Sequence, residues 1–171
     1  MGFMDLAKER YSVRSFSEKP VEQEKLDKII EAGLLAPTAK NLQPVRIYVM
    51  KSPEALDKMN ALTRCIFGAP MALLVCYNEI EAWHSPFNEE YNSGEMDASI
   101  ILTHMMLEAW ELGIGSCWVG LFDHVEAARA FGLPEDIKPV AVMPLGYAAE
   151  GSKPAPKHTE CRDKDELVVE T

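Results

Sequence analysis

Between Met96 and Leu112 apolar side chains fall on every side of a helix, among them Met96, Ala98, Ile101, Leu102, Met105, Met106, Ala109 and Trp110. A helix apolar nearly all round is buried on most of its sides. In a chain of 171 residues it has to run through the centre of the fold, with enough apolar surface left over to be shared with a second copy.

The remaining elements follow from local signals. A short helix is expected over residues 3–10, with Phe3, Leu6 and Ala7 inward, followed by an extended segment from Tyr11 to Phe16. A second helix spans about 21–35, buries Leu26, Ile29, Ile30 and Leu34, and is stopped by Pro37. Arg46 to Lys51 alternates like a strand. Ser52 and Pro53 are an N-cap and first-turn pair for a helix to about residue 62. Met71 to Tyr77 is a continuous apolar run suited to a central strand. Residues 78–94 read as an irregular, lid-like loop.

Beyond the core helix, Gly113 and Gly115 lead into a short strand. Asp123 with Glu126 forms a capping box for a helix to Phe131, and Val140 to Tyr147 is another strand. From Gly151 the chain becomes rich in Pro, Lys and Glu, yet it ends in a strand-like patch, Leu167 to Val169, that needs a cover. Helices and strands alternate irregularly, with no internal repeat and no linker. The class is α+β, in a single domain over residues 1–171.

Apolar residues are 47% and charged residues 26%, an ordinary globular balance. The net charge of −10 repels phosphate backbones, so nucleic acid and anionic membranes are poor partners. An anionic ligand needs a local cationic cluster. No signal stretch or membrane-length apolar run occurs, and a cytoplasmic protein with four free cysteines is expected. Cys76 and Cys117 lie in apolar runs and read as buried. No Cys or His spacing fits a metal site.

Three groupings could carry chemistry. In Arg10-Tyr11-Ser12-Val13-Arg14, two guanidiniums and a hydroxyl suit a phosphate, although the same residues suit a solvated basic turn. Pro37-Thr38-Ala39-Lys40-Asn41-Leu42-Gln43-Pro44 is dense in groups that donate and accept, as a flat heterocycle with mixed edges requires. It also reads as a plain helix-to-strand connection. Gly113-Ile114-Gly115-Ser116-Cys117-Trp118-Val119-Gly120 lets backbone N–H groups approach a ligand. It is not a dinucleotide fingerprint, because Trp118 stands where the third glycine is needed and a helix precedes it.

In this order the three groupings resemble the nitroreductase family of FMN enzymes. They match its R-x-S-x-[RK]-x-[FY] opening, its A-P-[ST]-[SA]-x-N-x-Q-P loop and its G-[LI]-G-[ST]-C-W-x-G segment. Leu133-Pro134-Glu135, Pro139-Val140-Ala141 and Leu145-Gly146-Tyr147 look like its late strand. The resemblance implies an α+β homodimer with a central mixed or antiparallel sheet flanked by helices, and FMN at the subunit interface. Arg10, Tyr11, Ser12, Arg14 and Lys157 are then expected at the phosphate and the adjoining flavin edge. Pro37, Thr38, Ala39 and Asn41 are expected from the other subunit, and Trp118, Val119, Gly120 and Leu121 beside the ring. The tail, residues 151–171, is expected to cross onto the partner and bury Leu167 to Val169.

The second late cation of the family pattern is not in place. Thr159 or Cys161 stands there, and Arg162 is displaced by one position. Arg64 is the candidate cation for flavin N1 and O2. The implied activity passes electrons from NADH or NADPH through FMN to a small planar acceptor such as a nitroaromatic or quinone, with no catalytic side chain required. Lys40 is expected to favour anionic acceptors, and Trp83, Phe87 and Tyr91 to stack on them. Dehalogenation, flavin breakdown and non-enzymatic flavin binding are alternatives that the same resemblance allows.

Overall fold

The computed structural model describes residues 2–171, apart from the side chain of Glu89; Met1, the first residue of the expected domain, lies outside them. In chain order the elements are α1 (Phe3–Glu9), α2 (Gln23–Leu34), β1 (Val45–Met50), α3 (Pro53–Leu62), β2 (Met71–Asn78), β3 (His84–Ser85), β4 (Asn88–Asn92), α4 (Gly94–Glu111), β5 (Gly115–Ser116), α5 (His124–Ala130), β6 (Ile137–Gly146) and α6 (Lys164–Leu167). The main sheet runs β1-β2-β6-β5 with every neighbouring pair antiparallel. One parallel bridge, Ser12 to Ser116, adds the N-terminal segment to its edge. Among the described residues no helix is long and apolar enough to cross a membrane.

The sheet is covered on both faces, which is why β2 is apolar from Met71 to Tyr77. Met71, Leu73 and Val75 pack with Leu26, Ile29, Leu102 and Met105 of α2 and α4. Ala72, Leu74 and Cys76 point the other way, into a second cluster with Met59, Ile66 and Val142. Alternating side chains of one strand thus serve two cores. In α4, Ala98, Ile101, Leu102, Met105, Met106 and Ala109 are buried, whereas Met96 is 51% exposed. The central helix is therefore present, with apolar surface to spare.

Two helix expectations need correction. In α2 it is Gly33 that lies against α4, where an added Cβ would sit 2.8 Å from Met105 Cγ, and Leu34 turns outward and is 70% exposed. In α1 only Leu6 is buried, and Phe3 faces out. The start of α5 is capped by Asp123, whose side chain accepts from the Glu126 N–H at 2.9 Å. Glu126 does not complete the box; it pairs with Arg129 one turn on.

The expected loop over 78–94 is ordered by two devices. The Asn78 amide oxygen accepts from the N–H groups of Ile80 and Glu81, and its Nδ2 donates to Asp136. A short hairpin, β3 with β4, follows. Gly94 opens α4 directly against the Tyr77 ring, where an added Cβ would lie 2.0–2.5 Å from ring carbons. The ring or the start of the helix would have to move to admit it. Gly94→Ala should destabilise the fold by about 1–3 kcal/mol, as overpacking does, read as a lowered urea midpoint with unchanged m-value.

The tail contains a 3-10 turn, Pro156–Thr159, and the short α6 rather than a strand. Leu167, Val168 and Val169 are 67%, 51% and 79% exposed. The cover they need is not supplied by this chain.

Candidate functional site

The N-terminal grouping is held in place by the sheet edge. The Val13 N–H donates to Ser116 O at 2.9 Å, and Val13 is fully buried. Its neighbours Ser12 and Arg14 therefore turn the other way. This close approach depends on Gly115, where an added Cβ would sit 2.7 Å from Val13 Cγ2. Residues 152–158 pack against this same segment of their own chain. Tyr11 Oη donates to Ser152 at 3.4 Å, and the Tyr11 ring packs edge-on against Trp110 with centroids 5.0 Å apart. His158 Nε2 lies 3.3 Å from the Lys8 carbonyl oxygen.

The result is a recess of about 190 Å³ lined by Tyr11, Ser12, Arg14, Ala155, Lys157 and His158. Cationic side chains from opposite ends of a strongly acidic chain meet in it. Lys157 lines this recess together with Ser12 and Arg14. Arg162 is not in the lining; it pairs with Glu166 on the exposed tail. His158 is a residue that sequence reasoning misses, since one histidine between Lys157 and Thr159 carries no signal of its own. The Cys117 thiol lies alongside. Burial pushes it up, while nearby Arg14, Ser12 and Arg10 act in the opposite direction. Burial alone pushes Cys76 up to about 12. Burial thus favours the protonated thiol, the poorer nucleophile, at both positions.

A second recess, of about 380 Å³, lies between the end of α3 and the start of α5, lined by Leu62, Thr63, Arg64, Gly120, Leu121, Phe122 and Asp123. It holds the candidate cation Arg64 beside Gly120 and Leu121. Gly120 has open space where a side chain would stand. Val119 is buried and bridges to Val142, and Trp118 is 37% exposed. Gly120 is four residues from Ser116, the bridge partner of Ser12, so it lies within about 14 Å of Ser116 even at full extension.

The Pro37 to Pro44 loop is elsewhere. Lys40, Asn41 and Gln43 all adopt positive φ, at 50°, 56° and 53°, although none is glycine. Such a conformation costs on the order of 1 kcal/mol per residue and persists only where surroundings enforce it. Here the Gln43 N–H donates to Thr38 Oγ1, Gln43 Nε2 donates to Asn41 Oδ1, and the Ala39 N–H donates to Asp97 Oδ1 at 2.9 Å. Asp97 is 1% exposed, and its other oxygen accepts from Ser93 Oγ at 2.7 Å. It is the anchor that sequence reasoning misses. An acid in the first turn of a helix suits the dipole, so nothing marks it as unusual. Asp97→Ala would leave two donors without their acceptor. It should cost on the order of 3 kcal/mol, measured by chemical unfolding, and should weaken any ligand held by the loop.

Asp97 and Trp110 stand at opposite ends of α4, about 20 Å apart along its axis. The chain therefore does not bring Pro37, Thr38, Ala39 and Asn41 to Arg10, Ser12 and Arg14. Within one chain the two groups of residues stand apart. Among the aromatic residues expected at the acceptor, Trp83 and Tyr91 meet edge-on with centroids 6.3 Å apart. Phe87 stands alone near the hairpin turn, 97% exposed. Tyr91 also borders an open recess with Tyr77, Glu79 and Glu95, whose carboxylates disfavour an anion there. Lys40 is exposed.

The chain is similar to known proteins over most of its length. The model of the nitroreductase family matches residues 7–67 and 61–147. A relative from Methanothermobacter thermautotrophicus, provisionally named an NADH dehydrogenase/NAD(P)H nitroreductase, is 30% identical over 99% of this chain and 87% of its own. An FMN reductase [NAD(P)H] from Bacillus subtilis is 31% identical over 85% of this chain and 66% of its own. Among solved structures, a nitroreductase family protein from Clostridium difficile superposes with a TM-score of 0.92 at 35% identity, covering 99% of this chain and 98% of that one. A provisionally named nitroreductase from Desulfovibrio desulfuricans, solved in complex with FMN, gives a TM-score of 0.81 at 25% identity over 98% and 95% of the two chains.

Proposed function

The chain belongs to the nitroreductase family, and from that premise we propose that it is a homodimeric FMN-dependent oxidoreductase drawing on NADH or NADPH. Its acceptor is a small planar molecule of the nitroaromatic or quinone type. The observation that carries this reading is the recess at Ser12, Arg14 and Lys157, a phosphate-sized gathering of cations in a chain of net charge −10. Its relatives' names and the FMN-bound structure of one of them support the choice of cofactor.

Bound FMN supplies the hydride-accepting and electron-donating chemistry. The protein binds and orients it. Arg10, Ser12, Arg14 and Lys157 hold the phosphate by charge-assisted hydrogen bonds. Arg64 places a positive charge beside the flavin edge that becomes electron-rich. Trp118 to Leu121 flank the ring, and the small size of Gly120 leaves its backbone accessible. A second copy brings Pro37, Thr38, Ala39 and Asn41 to the same flavin, since one chain holds them about 20 Å away. Residues 160–171 then cover and are covered by that copy. Lys40 and the pair Trp83 and Tyr91 stand where an acceptor enters, with Phe87 as an exposed rim contact; residues 1–171 act as one domain.

The test is direct. Purified protein should be yellow, release FMN rather than FAD on denaturation, and oxidise NADH or NADPH when a quinone or nitroaromatic is added. Tight FMN binding without any such turnover would leave a flavin-binding protein and overturn the enzymatic reading.

A further inference from the structure

We propose that His158 is a proton-dependent ligand of the FMN phosphate, so that protonation of one imidazole tightens cofactor binding. The inference rests on the FMN reading above and goes beyond it.

Three observations support it. His158 lines the same recess as Ser12, Arg14 and Lys157. It is half-buried and packed edge-on to Tyr11, with centroids 6.3 Å apart. Its Nε2 faces the Lys8 carbonyl oxygen at 3.3 Å. A carbonyl oxygen only accepts, so Nε2 carries a hydrogen there. Nδ1 is then the atom that takes up the second proton, and an imidazolium at this place adds a donor and a positive charge to a phosphate site. Arg162, the alternative late cation, is engaged with Glu166 outside the recess.

The charged and titratable groups at His158 are Tyr11, whose ring packs on it, and Arg14 and Lys157, which line the same recess; Lys8 meets it through the backbone carbonyl. Guanidinium and ammonium groups ordinarily keep their charge between pH 5 and 8, and a phenol is ordinarily neutral there. Imidazole is the side chain that changes charge in that window. The phosphate monoester also titrates near pH 6 and gains charge as pH rises, which opposes the histidine effect. Only a comparison between variants at each pH isolates His158.

The experiment measures FMN affinity of the full-length protein by quenching of flavin fluorescence, from pH 5.5 to 8, for the native chain and for His158→Gln, with riboflavin as the ligand lacking phosphate. The native chain should bind FMN about tenfold more tightly than the variant at pH 5.5, and the ratio should fall towards one at pH 8. Riboflavin should show no such trend. A second reading protects against a variant that folds poorly: in the native protein, the NMR titration of the His158 imidazole should move to higher pH when FMN binds and stay in place with riboflavin. A ratio independent of pH, or an imidazole titration unmoved by FMN, overturns the role of His158 while leaving the FMN reading intact. Failure of the native chain to bind FMN at any pH overturns both.

Discussion

Replacing both Arg10 and Arg14 by alanine should strip the protein of FMN during purification. Each hydrogen bond to a charged partner contributes about 1.5–3 kcal/mol, so loss of the two guanidiniums weakens binding by roughly 3–6 kcal/mol, or between two and four orders of magnitude. The fold should tolerate the change. Arg14 is exposed and, among the described residues, its side chain donates only to the carbonyl oxygen of Ser12 in its own segment, while the buried Val13 that fixes this segment is untouched. Equilibrium dialysis against FMN reads the affinity, and circular dichroism checks the fold. Riboflavin binding should fall much less, because the lost interactions are with phosphate. An FMN affinity within about threefold of the native value, under 1 kcal/mol, would remove the recess from the cofactor site.

Ending the chain at Glu150 should loosen both the cofactor and the dimer. The deletion removes Lys157 and His158 from the recess and takes away the residues that Tyr11 and Lys8 contact. Loss of one charged partner alone lowers FMN affinity by at least about tenfold. It also removes Leu167, Val168 and Val169, which this chain leaves uncovered. With these residues lying on a second copy, their removal subtracts apolar area from the interface at about 25 cal/mol per Å². Thermal unfolding should show a lower Tm that depends more steeply on protein concentration. A shortened chain that keeps FMN and remains dimeric would show that the tail is dispensable to both.

Much of the fold is legible in the sequence because it rests on repetition of one physical signal. The core helix and β2 announce themselves by apolar side chains on all faces, and both are buried as that pattern requires. The caps at Ser52 and Asp123 are readable because one side chain meets one N–H three residues on. The hairpin at His84 to Asn92 is not. Its strands are short and polar, so no alternation distinguishes them from a loop. Leu34 fits the buried stripe of α2, yet a contact between Gly33 and Met105 decides which residue faces α4, and no periodicity reports that.

The site divides in the same way. Arg10, Ser12 and Arg14 can be grouped from spacing in an extended segment, and Lys157 from its resemblance to the family pattern. Asp97 and His158 act through partners 58 and 150 residues distant, Ala39 and Lys8. Such pairings exist only once the chain is folded. The separation of the two groups of residues along α4 is likewise a property of the fold, and under the proposed function it requires FMN to be shared between two chains. A ligand held only by the dimer stabilises the dimer by mass action.

Sedimentation velocity on the purified protein, followed by protein and by visible flavin absorbance together, distinguishes a shared cofactor from one held by a single chain. The expected result is flavin travelling only with the dimer, one FMN per chain, and dissociation towards monomer when FMN is removed. A monomer that sediments with FMN bound at micromolar concentration would contradict the shared site.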